Sequence, residues 1–179
     1  NLSARLSKSD RYLITASGRQ KGELTHRDFV ALSHGMRAPE PRYRKWSAET
    51  VVHDELYGSD GSIGSVLHVH GPFSTLLSRT TTGAGASSLD VSGFEYVKGL
   101  GFWGEDAEVQ IPVVPNHHDI PQLANAILNA RTEVPAVLVR SHGIYAWGAS
   151  IDDARRHLEC AEFLCEMVWR ERRGATPAR

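Results

Sequence analysis

Two cysteines in 179 residues exclude a disulfide-stapled scaffold. Cys160 and Cys165 lie five apart in a helical pattern, where their side chains point in different directions and would not pair. Free thiols suit a reducing compartment, so the expected location is the cytoplasm. No apolar run approaches the roughly 20 residues that a helix needs to cross a bilayer, and no signal-peptide pattern is visible. Charge of one sign is lacking too. The 20 Lys and Arg against 21 Asp and Glu leave a net charge of −1, so no overall field favours nucleic acid or an anionic membrane, and neither is an expected partner. Internal repeats, long linkers and low-complexity blocks are also missing. With 41% hydrophobic residues, a chain of this length buries roughly 70% of its unfolded surface, enough for a core without staples. One domain over residues 1–179 is expected.

Histidine is plentiful, at nine residues. The stretch Ser65-Val66-Leu67-His68-Val69-His70-Gly71 reads as a buried strand ended by Gly71. Residues two apart on a strand share a face, so His68 and His70 project side by side and can reach one metal ion.

Along the chain, Asn1 to Leu6 is short and ends in a turn around Lys8-Ser9-Asp10. Arg11–Thr15 and Phe29–Leu32 read as strands, with Thr25–Asp28 as a capped helical turn between them. Pro39 and Pro41 mark a loop. Ser47 is a good N-cap, with Glu49 in the first turn, for a helix that Gly58 is placed to end. Pro72–Ser78 is a short helix or an irregular exit, Thr80–Ser88 a loop, and Ser92-Gly93-Phe94-Glu95 opens a short helix reaching Leu100. Val109–Val114 is a strand, followed by a helix with Pro121 in its first turn and Leu123, Ile127 and Leu128 inward. Ala136–Arg140 and Ile144–Trp147 are partner strands around the turn Ser141-His142-Gly143. Ser150-x-x-Asp153 caps a final helix with the stripe Ala154, Leu158, Ala161, Cys165 and Val168; the tail from Gly174 is loose. Interleaved strands and helices define an α/β class with a mixed or largely antiparallel sheet and helices on its faces.

A catalytic zinc takes three protein ligands and leaves one position open. His142 is the best third candidate, since Gly143 beside it allows close approach; the alternative is a turn histidine with no role. His117 and His118 are rivals, but neighbours in an extended segment face opposite ways, and Pro115, Asn116 and Asp119 suggest a solvated loop. His26, His34, His53 and His157 are expected at the surface. Glu95 is the carboxylate of most interest, although Ser92-x-x-Glu95 also fits a capping box. Ser17-Gly18 with Lys21 offers a hydroxyl, a permissive backbone and a cation, which suit a phosphate or an ordinary turn. Ser47 at a helix start is a second anion-binding point.

The ordered set His68-Val69-His70, Glu95 and Val137 to Gly148 resembles the class II aldolase/adducin superfamily. Leu138 to Gly148 and the helix Ala154 to Glu159 look most like its branch that dehydrates methylthioribulose 1-phosphate in methionine salvage. Ile14 to Gly18, Lys21 and Ser47 to Thr50 fall where that branch has similar segments, so the resemblance runs from Asn1 to about Arg173. It implies a three-layer α/β/α sandwich around a central, mainly antiparallel sheet. It implies one zinc ion per subunit on His68, His70 and His142, with Glu95 as acid/base. Asn1, Ser17, Gly18, Lys21 and Ser47 would gather the phosphate of a small phosphorylated ketose. It further implies a homotetramer with active sites at subunit interfaces, and an N-terminal helical segment ahead of Asn1-Leu2-Ser3. Two other readings compete. A sugar-phosphate aldolase or 4-epimerase would use the same histidines, and an adducin-like interaction module would lack ligands.

Overall fold

Among the described residues, eight strands form one sheet: β1 (Leu2–Arg5), β2 (Arg11–Thr15), β3 (Phe29–Ser33), β4 (Ser65–Val69), β5 (Ser87–Val91), β6 (Val109–Val114), β7 (Ala136–Val139) and β8 (Gly143–Gly148). Their order is β3-β2-β1-β4-β8-β7-β6-β5. β6 and β7 run parallel; the other neighbours are antiparallel. The computed structural model describes residues 1–6, 10–19, 21–35, 46–81, 87–104 and 107–174, apart from the side chain of Lys21. The turn expected at Lys8-Ser9, the loop with Pro39 and Pro41, most of Thr80–Ser88 and the tail beyond Gly174 lie outside them.

Four α-helices among the described residues cover the sheet: α1 (Thr50–Ser59), α2 (Pro72–Thr80), α3 (Ile120–Ala130) and α4 (Ile151–Gly174). The central strands alternate between two cores, which is why their apolar runs are unbroken. Val137, Val139, Tyr145 and Trp147 face a core shared with Val52 and Leu56 of α1 and Leu123 and Ile127 of α3. Leu138, Ile144 and Ala146 face the opposite core, shared with Leu77 of α2 and Ala161, Leu164 and Cys165 of α4. The architecture is the expected three-layer sandwich with a mainly antiparallel sheet. No helix among the described residues is long and apolar enough to cross a membrane.

Several local elements match expectation. Thr25 and Asp28 form a reciprocal capping box. Ser150 Oγ accepts from Asp153 N at 3.1 Å and caps α4. Cys160 and Cys165 are both free and buried on α4. Other expectations fail. Leu2–Arg5 is a full strand between β2 and β4, placed by backbone pairing rather than by its own propensity. Ser87 and Ser88 belong to β5 rather than to a loop. Gly58 lies inside α1, where the His34 ring covers its Cβ position at 2.3 Å, and the helix ends one residue later. Glu95–Leu100 is a 3-10 helix whose N-cap, Phe94, makes no side-chain cap, so the Ser92–Glu95 capping box does not form. His53 is completely buried on the inner face of α1, not at the surface.

Candidate metal centre

His68 is on β4 and His70 lies one residue beyond its end, so the strand period aims both rings one way. β8 pairs with β4 with Val69 opposite Ile144, and the turn before β8 brings His142 to the same place. Gly143 makes this approach possible: a Cβ there would sit 2.2 Å from the Val69 carbonyl oxygen. His70 Nε2 lies 3.2 Å from His68 Nε2 and 3.0 Å from His142 Nε2. The fourth member is Glu49, whose Oε1 is 3.6 Å from His68 Nε2 and 3.3 Å from His142 Nε2. The four ligand atoms lie within 4.8 Å of one another, a group that could hold a metal ion.

The donor chemistry fits a cation. His68 Nδ1 is 3.0 Å from the Ile144 carbonyl oxygen. A carbonyl only accepts, so Nδ1 carries the hydrogen and Nε2 keeps a free lone pair. One hydrogen cannot satisfy three converging ring nitrogens, whereas a cation can. Two nitrogens each about 2.05 Å from a tetrahedral zinc stand about 3.3 Å apart, close to the separations here. Burial holds the His68 imidazole well below its ordinary value, at about 3, and that of His70 is lowered by the same cause. Both rings are therefore neutral, the form that binds metal. Contact with His142 keeps the Glu49 carboxyl well below the usual carboxylate range, so it is anionic.

Glu49 is the residue missed in the sequence, where it read only as first-turn acidity. Its position is fixed by two expected site residues. Asn1 Nδ2 donates to Glu49 Oε2 at 2.5 Å and lies 3.2 Å from Ser47 Oγ. Ser47 Oγ accepts from Glu49 N at 3.3 Å, just ahead of α1. The bridge between Ala16 and Trp46 brings Ser17-Gly18 to the same end of the sheet as Ser47, with Gly18 at φ 73°. The backbone of Lys21 starts the 3-10 helix that follows. Glu95 is elsewhere. It is exposed, pairs with Lys98, and lines a cavity of ≈ 590 Å³ with Tyr96, Arg155 and Arg156. His117 and His118 stay outside the four-residue group, and His34 pairs with Asp54 at 3.3 Å.

A three-layer sandwich with a histidine cluster at the end of its central strands defines a class, and the chain belongs to it: residues 1–169 match the family described as Class II Aldolase and Adducin N-terminal domain. Within that family the chain is similar to proteins named methylthioribulose-1-phosphate dehydratase. The one from Sulfurihydrogenibium sp. is 36% identical over 158 residues, 88% of this chain and 72% of that protein. The one from Geobacillus kaustophilus is 40% identical over 154 residues, 86% and 72% of the two chains. Among solved structures, L-fuculose-1-phosphate aldolase from Thermus thermophilus superposes with a TM-score of 0.79 at 24% identity, covering 99% of this chain and 85% of that one. A putative aldolase/epimerase/decarboxylase from Escherichia coli gives 0.78 at 23% identity, covering 99% and 80%.

Proposed function

We propose that this chain is a zinc-dependent lyase that removes water from 5-methylthioribulose 1-phosphate, yielding 2,3-diketo-5-methylthiopentyl 1-phosphate in methionine salvage. The convergence of His68, His70 and His142 beside Glu49 carries the reading of a metal centre. The names of relatives 36–40% identical supply the substrate. The three histidines would hold the ion through Nε2, with the Glu49 carboxylate as a fourth donor beside it. Bound zinc supplies Lewis acidity toward the ketose oxygens without a redox change.

Glu95 takes the proton from C3, and the C4 hydroxyl leaves as water with that proton; the resulting enol tautomerises to the diketone. Asn1, Ser17, Gly18, Lys21 and Ser47 receive the phosphate. Glu95 lies outside the four-residue group in its own chain, so it serves the centre of a neighbouring copy. Exposed Tyr96, Trp103, Ile151 and Phe163 support a surface covered by further copies, and we infer a homotetramer with active sites between subunits. The unpaired thiols support a cytoplasmic location.

The test is an assay of the zinc-loaded protein on the phosphorylated ketose, scoring dehydration against carbon–carbon cleavage. Cleavage without dehydration would make it an aldolase. The Glu95→Gln variant is expected to keep zinc and lose turnover by about 10²–10⁴-fold. Mixing it with His70→Ala protein is expected to restore part of the activity, because some interfaces then combine an intact glutamate with intact histidines. If Glu95→Gln turns over normally with zinc bound, Glu95 is not the acid/base. If it is inactive and mixing restores nothing, the glutamate acts within its own chain.

A further inference from the structure

Of the three clustered histidines, two are held close to their rings or by their strand. His68 is fixed by the Ile144 carbonyl, and His70 follows directly from β4. His142 has neither support. Its Nδ1 is buried and, among the described residues, has no hydrogen-bond partner. A metal-binding histidine ordinarily donates that second ring N–H to an acceptor that sets the ring. His142 instead hangs on a turn in which its N–H donates to Val139 O at 3.0 Å. The third residue of that turn, Ser141, is the one non-glycine described residue at positive φ, 56°. Turns of this kind favour glycine at that position, and a serine stays there only when its surroundings hold it.

The surroundings are two hydroxyls on one face of α2, three residues apart. Ser78 is fully buried, and its Oγ accepts from Ser141 N at 3.1 Å while lying 3.3 Å from Val139 O. Thr75 Oγ1 donates to the His142 carbonyl at 3.2 Å. Together they satisfy the backbone on both sides of the strained peptide. The helix that carries them is anchored at its start, where Glu162 of α4 accepts from Phe73 N at 2.8 Å and Ser74 N at 3.1 Å.

We propose that Ser78 and Thr75 are positioning residues of the metal centre, holding the Val139–His142 turn so that the His142 ring meets the other two. The proposal rests on the metal reading above. Neither side chain touches the ion or the substrate; both act through the backbone of the turn.

The test is titration of chelator-treated protein with Co²⁺, read by its visible absorption and by competition with a chromophoric chelator. Ser78→Ala and the isosteric Thr75→Val are each expected to weaken binding by about ten- to a hundredfold and to change the absorption band. Adding Ser141→Gly to Ser78→Ala is expected to recover most of the affinity, because glycine holds the left-handed conformation unaided. Should Ser78→Ala fail to fold, Thr75→Val carries the test alone. Folded variants that bind Co²⁺ like the wild type, even with lowered thermal stability, overturn the proposal and make the hydroxyls merely structural. A wild-type protein that takes up no metal overturns the metal reading itself, and this inference with it.

Discussion

The carboxylate of Glu49 owes its charge to its company at the residue scale. The first cause is its contact with His142, supported by the field of His68, against the opposing effect of partial burial. A negative charge among three imidazoles raises their affinity for a cation and costs little where the imidazoles supply partners. Glu49→Gln keeps the shape and the capacity to accept from Asn1 Nδ2 but removes that charge. It is expected to lower zinc affinity about tenfold or more, measured by competition titration at pH 7.5. Unchanged affinity would mean that the histidines alone define the centre. His68 and His70 were readable in the sequence because a strand repeats every two residues, and His142 because it sits at a glycine-bearing turn. Glu49 was not readable. A glutamate two residues after a serine at a helix start is ordinary, and only the docking of α1 against β4 and β8 aims it at the rings.

At the element scale, α2 joins the two ends of the centre, since it begins directly after His70 and carries the hydroxyls under His142. Its own N-terminus has no side-chain cap from its N-cap residue, Gly71. Glu162 replaces one from across the layer, and its carboxylate occupies the space where a Cβ on Gly71 would lie, 2.3 Å away. An anion at two free N–H groups also opposes the positive end of the helix dipole. Glu162→Ala is expected to cost about 1–2 kcal/mol, the range of a lost N-cap, as a lower urea midpoint at unchanged slope. A wild-type midpoint would show that solvent caps α2 equally well. The cap joins Ser74 to Glu162, 88 positions away, and no local pattern predicts such a partner. The same limit hid β1 and β5. Leu2-Ser3-Ala4-Arg5 has little strand propensity, and its place comes from β2 on one side and β4 on the other. Strands with near-continuous apolar runs, such as β6, β7 and β8, could be read directly.

For the whole molecule, the consequence of two cores is that polar groups facing the sheet are sealed under helices. His53 is the clearest case. It points from α1 into the first core, where its Nδ1 lies 2.8 Å from Ser3 Oγ, whose hydroxyl also meets Tyr57 at 2.8 Å. The Tyr145 ring stands edge-on to it at 5.9 Å and stacks on His68 at 4.1 Å. Burial drives the His53 imidazole well below its ordinary value, and that of His68 to about 3. In the unfolded chain both titrate near 6.5. Above that pH neither state is protonated, and these groups have no effect on stability. Below it the unfolded chain takes up protons that the folded one refuses, so stability falls with pH until the folded values are reached. The slope approaches about 1.4 kcal/mol per pH unit for each histidine. Urea midpoints of chelator-treated protein are therefore expected to drop steadily from pH 7 to pH 5. Glu49, with its lowered value, loses its contribution only below about pH 4.5 and does not enter that window. His53→Asn is expected to flatten the slope by about one proton. Zinc is expected to raise the midpoints across this window without moving the onset, since it binds the folded chain while the unfolded histidines still titrate near 6.5. A pH-independent midpoint between 7 and 5 in the metal-free protein would mean that both His53 and His68 can charge in place, through water entering beside them.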